Sequence, residues 1–132
     1  MSSGITIMLV DDNKIDLFIH SEVMKRIPSV TSVMEYTFAG DAFTYLEEHG
    51  VGAWPDVILL DIHMPMMDGF DFLDNYEKLP AASRQKCRVI MLSSSLNGED
   101  HEKAKANGLV FDFLGKPLDI EKLERVIRDR SA

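Results

Sequence analysis

Cysteine is almost missing from this sequence. The single residue, Cys87, excludes an internal disulfide framework and any zinc site built on several thiolates. A reducing, cytoplasmic setting is the expectation, with Cys87 a small, partly buried apolar residue beside a strand. Long apolar runs are missing too. The longest fall far short of the roughly 20 residues that a bilayer-spanning helix needs, and no charged-then-apolar segment opens the chain; no membrane partner is expected. Positive charge is the third scarcity: 14 Lys and Arg stand against 22 Asp and Glu, for a net charge of −8, and the basic residues are scattered. A nucleic-acid surface needs clustered cations facing phosphates, so nucleic acid is not an expected partner. Neither repeats nor low-complexity segments occur, which argues against disorder.

What is present is one domain's worth of core. The chain has 132 residues, 45% of them apolar, enough for a genuine hydrophobic interior. The expectation is a single domain over 1–132, with a core about 5–130, a polar lead-in at 1–4 and no output domain. Five apolar runs read as strands: 5–10, 33–39, 56–60, 88–93 and 110–114. Three are continuously apolar, as befits strands covered on both faces of a parallel sheet. The second and fifth are mixed, as edge strands can be.

Amphipathic stretches lie between them. Ile15, Phe18, Ile19, Val23 and Ile27 follow three-and-four spacing, with Asp12 or Asn13 as the cap and Pro28 beyond the end. A short helix is expected over 40–49, and a third stripe at Phe70, Leu73 and Tyr76, closed by Pro80. The stretch 99–107 is the most polar, and Ile120, Leu123 and Ile127 line the last helix behind a cap at Asp119. Strand and helix alternate throughout, which with right-handed crossovers gives an α/β, doubly wound sheet with helices on both faces. His20, His49 and His101 read as surface residues.

The chemistry gathers at strand ends. In VILLDIHMPMMDGF (57–70) four apolar residues run into Asp61, an expensive place for a carboxylate that serves packing alone. The first strand ends in Asp11-Asp12, the fourth in Ser93-Ser94 and the fifth in Gly115-Lys116-Pro117. The C-terminal edges of central strands border the ligand crevice of an open parallel sheet, so three carboxylates, a hydroxyl and an ammonium are expected to meet. Clustered carboxylates repel unless a cation sits among them, and hard oxygen donors suit Mg2+. Lys116 and Ser93 suit the oxygens of an incoming phosphoryl group, which Asp61 can accept as a carboxylate nucleophile.

The stretches LVDDN (9–13), FAGDAF (38–43), LLDIHMPMMDGF (59–70), VIMLSSS (89–95) and FLGKPL (113–118) together resemble the receiver domain of two-component response regulators, the bacterial group typified by the chemotaxis regulator. The resemblance implies a flavodoxin-like (βα)5 sheet of strand order 2-1-3-4-5. It implies Asp61 as the phosphoacceptor, with Asp12, Asp61 and the backbone carbonyl of His63 on magnesium directly and Asp11 acting mostly through metal-bound water. Lys116 is expected to pair with phosphoryl oxygens and to precede a cis bond to Pro117; Ser93 takes the hydroxyl position and Phe113 the aromatic switch. The implied partners are a sensor histidine kinase or histidine phosphotransfer protein and an unknown downstream protein target, in a cytoplasmic phosphorelay. Such a domain is not an enzyme with a separate substrate; it catalyses only its own phosphoryl transfer and slow autodephosphorylation.

Two positions depart from the family's commoner choices. Ser93 stands where threonine is usual, and Phe113 where tyrosine is usual. His63 and Ser95 flank the site at variable positions and can tune the attack of water. Three rival readings compete with this one. A phosphohydrolase needs an acid two residues after the nucleophile, where His63 stands, and a cap domain, which has no counterpart here. A flavodoxin-like cofactor binder lacks its phosphate cradle, because Asp11-Asp12 would repel a phosphate. A scaffold-only pseudo-receiver is at odds with the intact set of acids, hydroxyl and lysine.

Overall fold

The computed structural model describes residues 4–93 and 98–129. Five strands, β1 (Ile5–Val10), β2 (Val30–Tyr36), β3 (Val57–Asp61), β4 (Arg88–Ser93) and β5 (Val110–Gly115), form one parallel sheet in the order β2-β1-β3-β4-β5. The helices are α1 (Lys14–Met24), α2 (Ala39–Glu48), α3 (Gly69–Tyr76), α4 (Ala81–Lys86), α5 (Gly98–Ala106) and α6 (Ile120–Asp129), with a 3-10 turn at Val51–Ala53. None of the described helices is long and apolar enough to cross a membrane.

Alternation along the central strands builds two cores. Met8, Val10, Ile58, Leu60 and Met91 face one side, against Leu46, Phe72, Leu73 and Ala104. Ile7, Leu9, Val57, Leu59 and Ile90 face the other, against Leu17, Met24, Leu123 and Ile127. Every residue of β3 is buried, each aliphatic side chain contributing about 1.5–3 kcal/mol. The edge strands β2 and β5 are mixed, as their sequences predict.

Two expectations need correction, and one helix was not foreseen. The second strand runs over Val30–Tyr36 rather than 33–39, because Phe38 is already the cap residue of α2. The stretch Ala81–Lys86 is a helix of its own, six residues long and too short to show an apolar stripe. Most informative is α1: its buried face is Leu17, His20, Ser21 and Met24, while Ile15 and Phe18 are 70% and 65% exposed and Ile19 is exposed as well. His20 is therefore interior and not a surface residue; His49 and His101 are exposed. Cys87 is buried just ahead of β4, and burial pushes its thiol up to about 12.

Candidate functional site

The end of β1 delivers Asp11 and Asp12 to the C-terminal edge of the sheet, and the neighbouring β3 delivers Asp61 beside them. Each offers a carboxylate oxygen, and the three oxygens lie within 4.8 Å of one another. Asp11 and Asp61 are buried, and Asp12 is exposed. Asn13 caps α1, its Oδ1 accepting from the Ile15 and Asp16 amides at 2.9 and 3.0 Å. Its own N–H donates to Asp11 Oδ1 at 2.9 Å, which fixes that carboxylate.

Lys116 enters from the end of β5. Its backbone N–H donates to the Ser93 carbonyl at 2.9 Å, so β4 and β5 stay paired up to the site. Its Nζ donates to Asp11 Oδ2 at 2.8 Å and to Asp16 Oδ2 at 2.9 Å, and lies 3.1 Å from Asp61 Oδ1. The Lys116–Pro117 peptide is cis. Asp16 is a site neighbour that the motif reading missed. The signal was there: Asp16 and His20 are spaced four apart on one face of α1, and His20 on that face is buried.

Electrostatics follow from this crowding. Burial, then repulsion from Asp11, raises the Asp61 carboxyl to about 6 despite the pull of Lys116. Burial alone would lower the Lys116 pKa; the hydrogen bonds to Asp11 and Asp16 and the charge of Asp61 reverse this and hold it above its ordinary value. Lys116 is thus a fixed ammonium. Burial, and after it the Lys116 charge, lowers the His20 imidazole.

The loop after β3 explains the MMDG stretch. Gly69 sits so close to β3 that a Cβ there would meet the Asp61 carbonyl at 2.8 Å and Met91 at 2.7 Å, and its N–H donates to the Ile62 carbonyl at 2.8 Å. Only glycine fits. Asp68 caps α3 in a reciprocal pair with Asp71. Met66 takes φ 69 at the exposed tip of this loop, an uncommon conformation for a residue with a Cβ.

The remaining residues of interest lie around this centre. Ser93 is buried at the end of β4; Ser94 and Ser95 lie outside the described residues. His63 turns its Nε2 to Asp100 Oδ2 of α5 at 2.7 Å. Phe113 is half-buried and stacks on His101, with ring centroids 4.8 Å apart.

A family model for the response regulator receiver domain matches residues 7–128. The chain belongs to that family. A response regulator receiver protein from Dyadobacter fermentans superposes with a TM-score of 0.86 at 35% identity, covering 94% of this chain and 95% of its own. The phosphorylated cyanobacterial phytochrome response regulator RcpA is 27% identical with a TM-score of 0.73, over 96% of this chain and 91% of its own. A probable methanogenesis regulatory protein of Methanothrix harundinacea is 28% identical over 93% of this chain and 79% of its length. Other curated relatives are longer, and the chain spans only 44% of one and 31% of another. The receiver is a signalling domain, and this one carries the acidic cluster at the edge of its sheet.

Proposed function

We propose that this receiver accepts a phosphoryl group on Asp61 from the phosphohistidine of a sensor kinase or phosphotransfer protein, with magnesium as its cofactor. The observation that carries the reading is the pairing of opposite devices on one carboxylate: Asp61 shares an ammonium with Asp11 while Asp11 and Asp12 crowd it. A carboxylate raised to about 6 by burial and by Asp11 is one that a divalent cation would relieve. The donor set fits magnesium: hard oxygens from Asp11, Asp12 and Asp61, with the backbone carbonyl of His63 as a further ligand. When bound, magnesium neutralises charge on the phosphoryl oxygens.

The chain's own residues account for the rest. An Asp61 oxygen attacks phosphorus in line; the P–O bond forms as the P–N bond breaks, and the electron pair leaves on the donor imidazole. The Lys116 ammonium bonds an equatorial oxygen, and the hydroxyl of Ser93 bonds another. Movement of Ser93 toward the phosphoryl group opens space for Phe113, which leaves its stack on His101 and reshapes the surface of α5 and β5. That surface is the output face for a downstream protein. The only deeply buried residue of α5 is Ala104, in keeping with an element that shifts at low cost. The exposed Ile15, Phe18 and Ile19, within about two turns of Asp12, suit docking of the phosphodonor. A receiver domain acting in the cytoplasm is the arrangement proposed.

Acetyl phosphate with magnesium, followed by intact mass, tests the reading. One phosphoryl adduct is expected, absent in Asp61→Asn and absent without divalent metal. Equal labelling of Asp61→Asn overturns the assignment.

A further inference from the structure

At the opposite, N-terminal end of the sheet, a cleft of about 390 Å3 opens between α4 and the starts of β4 and β5. Its walls include Tyr76, Arg84, Gln85, Cys87, Arg88 and Phe111. The length of β4 separates it from Ser93 by roughly 17 Å.

Two buried donors in this wall are poorly met: Nη1 of Arg88 has no hydrogen-bond partner, and the Tyr76 hydroxyl has only the Cys87 thiol. Tyr76 as a whole is 2% exposed. Its hydroxyl is neighboured by the Cys87 thiol, a weak hydrogen-bonding group that lies 4.0 Å from the Arg88 carbonyl. Arg84 gives its Nε to the Leu79 carbonyl at 2.9 Å. Among the described residues, neither arginine forms an ion pair. Asp56, the acid that acts on Cys87, is engaged by the Thr6 amide at 2.9 Å. The Arg88 guanidinium lies under Phe111, 4.1 Å from the ring centroid, and Phe111 is partly exposed.

Buried polar groups are paired in the great majority of cases. One orphaned donor, one weakly met hydroxyl and a second guanidinium in the wall of one cleft, in a chain of net charge −8, mark a place whose acceptor comes from outside the chain. We propose that this cleft binds a small monocarboxylate with an aromatic or apolar body. The planar carboxylate matches the guanidinium fork of Arg88, Tyr76 Oη donates to it, and Arg84 adds charge. Phe111 turns aside on entry, and the organic body takes its place against Val89 and Leu109. Inorganic phosphate, strongly hydrated and without such a body, fits the apolar part of the wall poorly.

Titration of the 15N-labelled full chain with benzoate, benzamide or inorganic phosphate tests this. Benzoate is expected to give saturable shifts at the amides of Val89, Leu109 and Phe111, with benzamide and phosphate weaker by about tenfold. Arg88→Gln is expected to weaken benzoate by about tenfold, and Tyr76→Phe, which deletes one atom and keeps the ring, by several-fold. No saturation at tens of millimolar, equal binding of benzamide or phosphate, shifts centred on Asp61, or full affinity in Tyr76→Phe would each overturn the proposal.

Discussion

The two ends of the sheet carry opposite imbalances. At the C-terminal end acceptors are in excess: Asp11, Asp16 and Asp61 share one ammonium, at 2.8, 2.9 and 3.1 Å. At the N-terminal end donors are in excess, with Nη1 of Arg88 unmet and the Tyr76 hydroxyl met only by the Cys87 thiol. Between them β3 and β4 are apolar and buried. A rigid, dry centre lets each end hold a charge pattern that would collapse onto its opposite if the two were close. The lesson is that a surplus of one kind of group at a buried edge points to the ligand: a cation at one end, an acceptor at the other.

Removing Lys116 should break the acidic end most severely. Lys116→Met leaves Asp11 and Asp61 buried without a counter-ion, and a loss of about 3 kcal/mol is expected in metal-free urea denaturation at pH 7. A loss below about 1 kcal/mol would mean that the ammonium does not hold the cluster. The loss should shrink toward pH 4, where Asp61 takes up a proton.

The pH profile sharpens the same contrast. The folded Asp61 carboxyl, raised to about 6 from 3.8 by burial and Asp11, binds its proton more tightly than the unfolded chain does. Its contribution is therefore full below about 3.8 and lost as pH rises through about 6. Asp61→Asn cannot titrate, so its stability relative to the unsubstituted chain should improve by about 3 kcal/mol between pH 3.5 and pH 7.5 without metal. A constant difference across that range would show that the carboxyl is not strained.

At the donor-rich end the sign reverses. Tyr76→Phe deletes a buried hydroxyl that the fold meets only with the weakly bonding Cys87 thiol, so thermal denaturation without added ligand should show a gain of up to about 1 kcal/mol. A loss of that size would mean that the hydroxyl has a stronger partner. The smallest effect on stability belongs to the exposed face of α1: Phe18→Ser should change it by less than about 0.5 kcal/mol. It should slow phosphotransfer from a partner protein while leaving labelling by acetyl phosphate intact. Equal slowing with both donors would place the effect in the site and not in docking.

Most of the acidic end was legible in the chain before folding. Asp11-Asp12, Asp61 and Lys116 each end an apolar run, and strand ends of a parallel sheet converge whatever the helices do. Asp16 and His20 were not, because their visibility depends on which way α1 turns. That helix has apolar residues on two faces, and spacing alone favoured Ile15, Phe18 and Ile19; the sheet accepted Leu17, Ser21 and Met24 instead. The bond between His63 and Asp100 joins a loop to a helix 37 residues away, beyond any local pattern.

The sequence by itself determined the alternation of strand and helix, the continuous burial of the central strands and the residues that end them, since these follow from local periodicity and the pleat. Only the tertiary structure decided which face of α1 is interior, that Lys116 divides itself among three acids, and that Tyr76 and Arg88 meet in one cleft. Those depend on distances between elements far apart in the chain, and burial and Coulomb energy are set by such distances and not by order along the backbone.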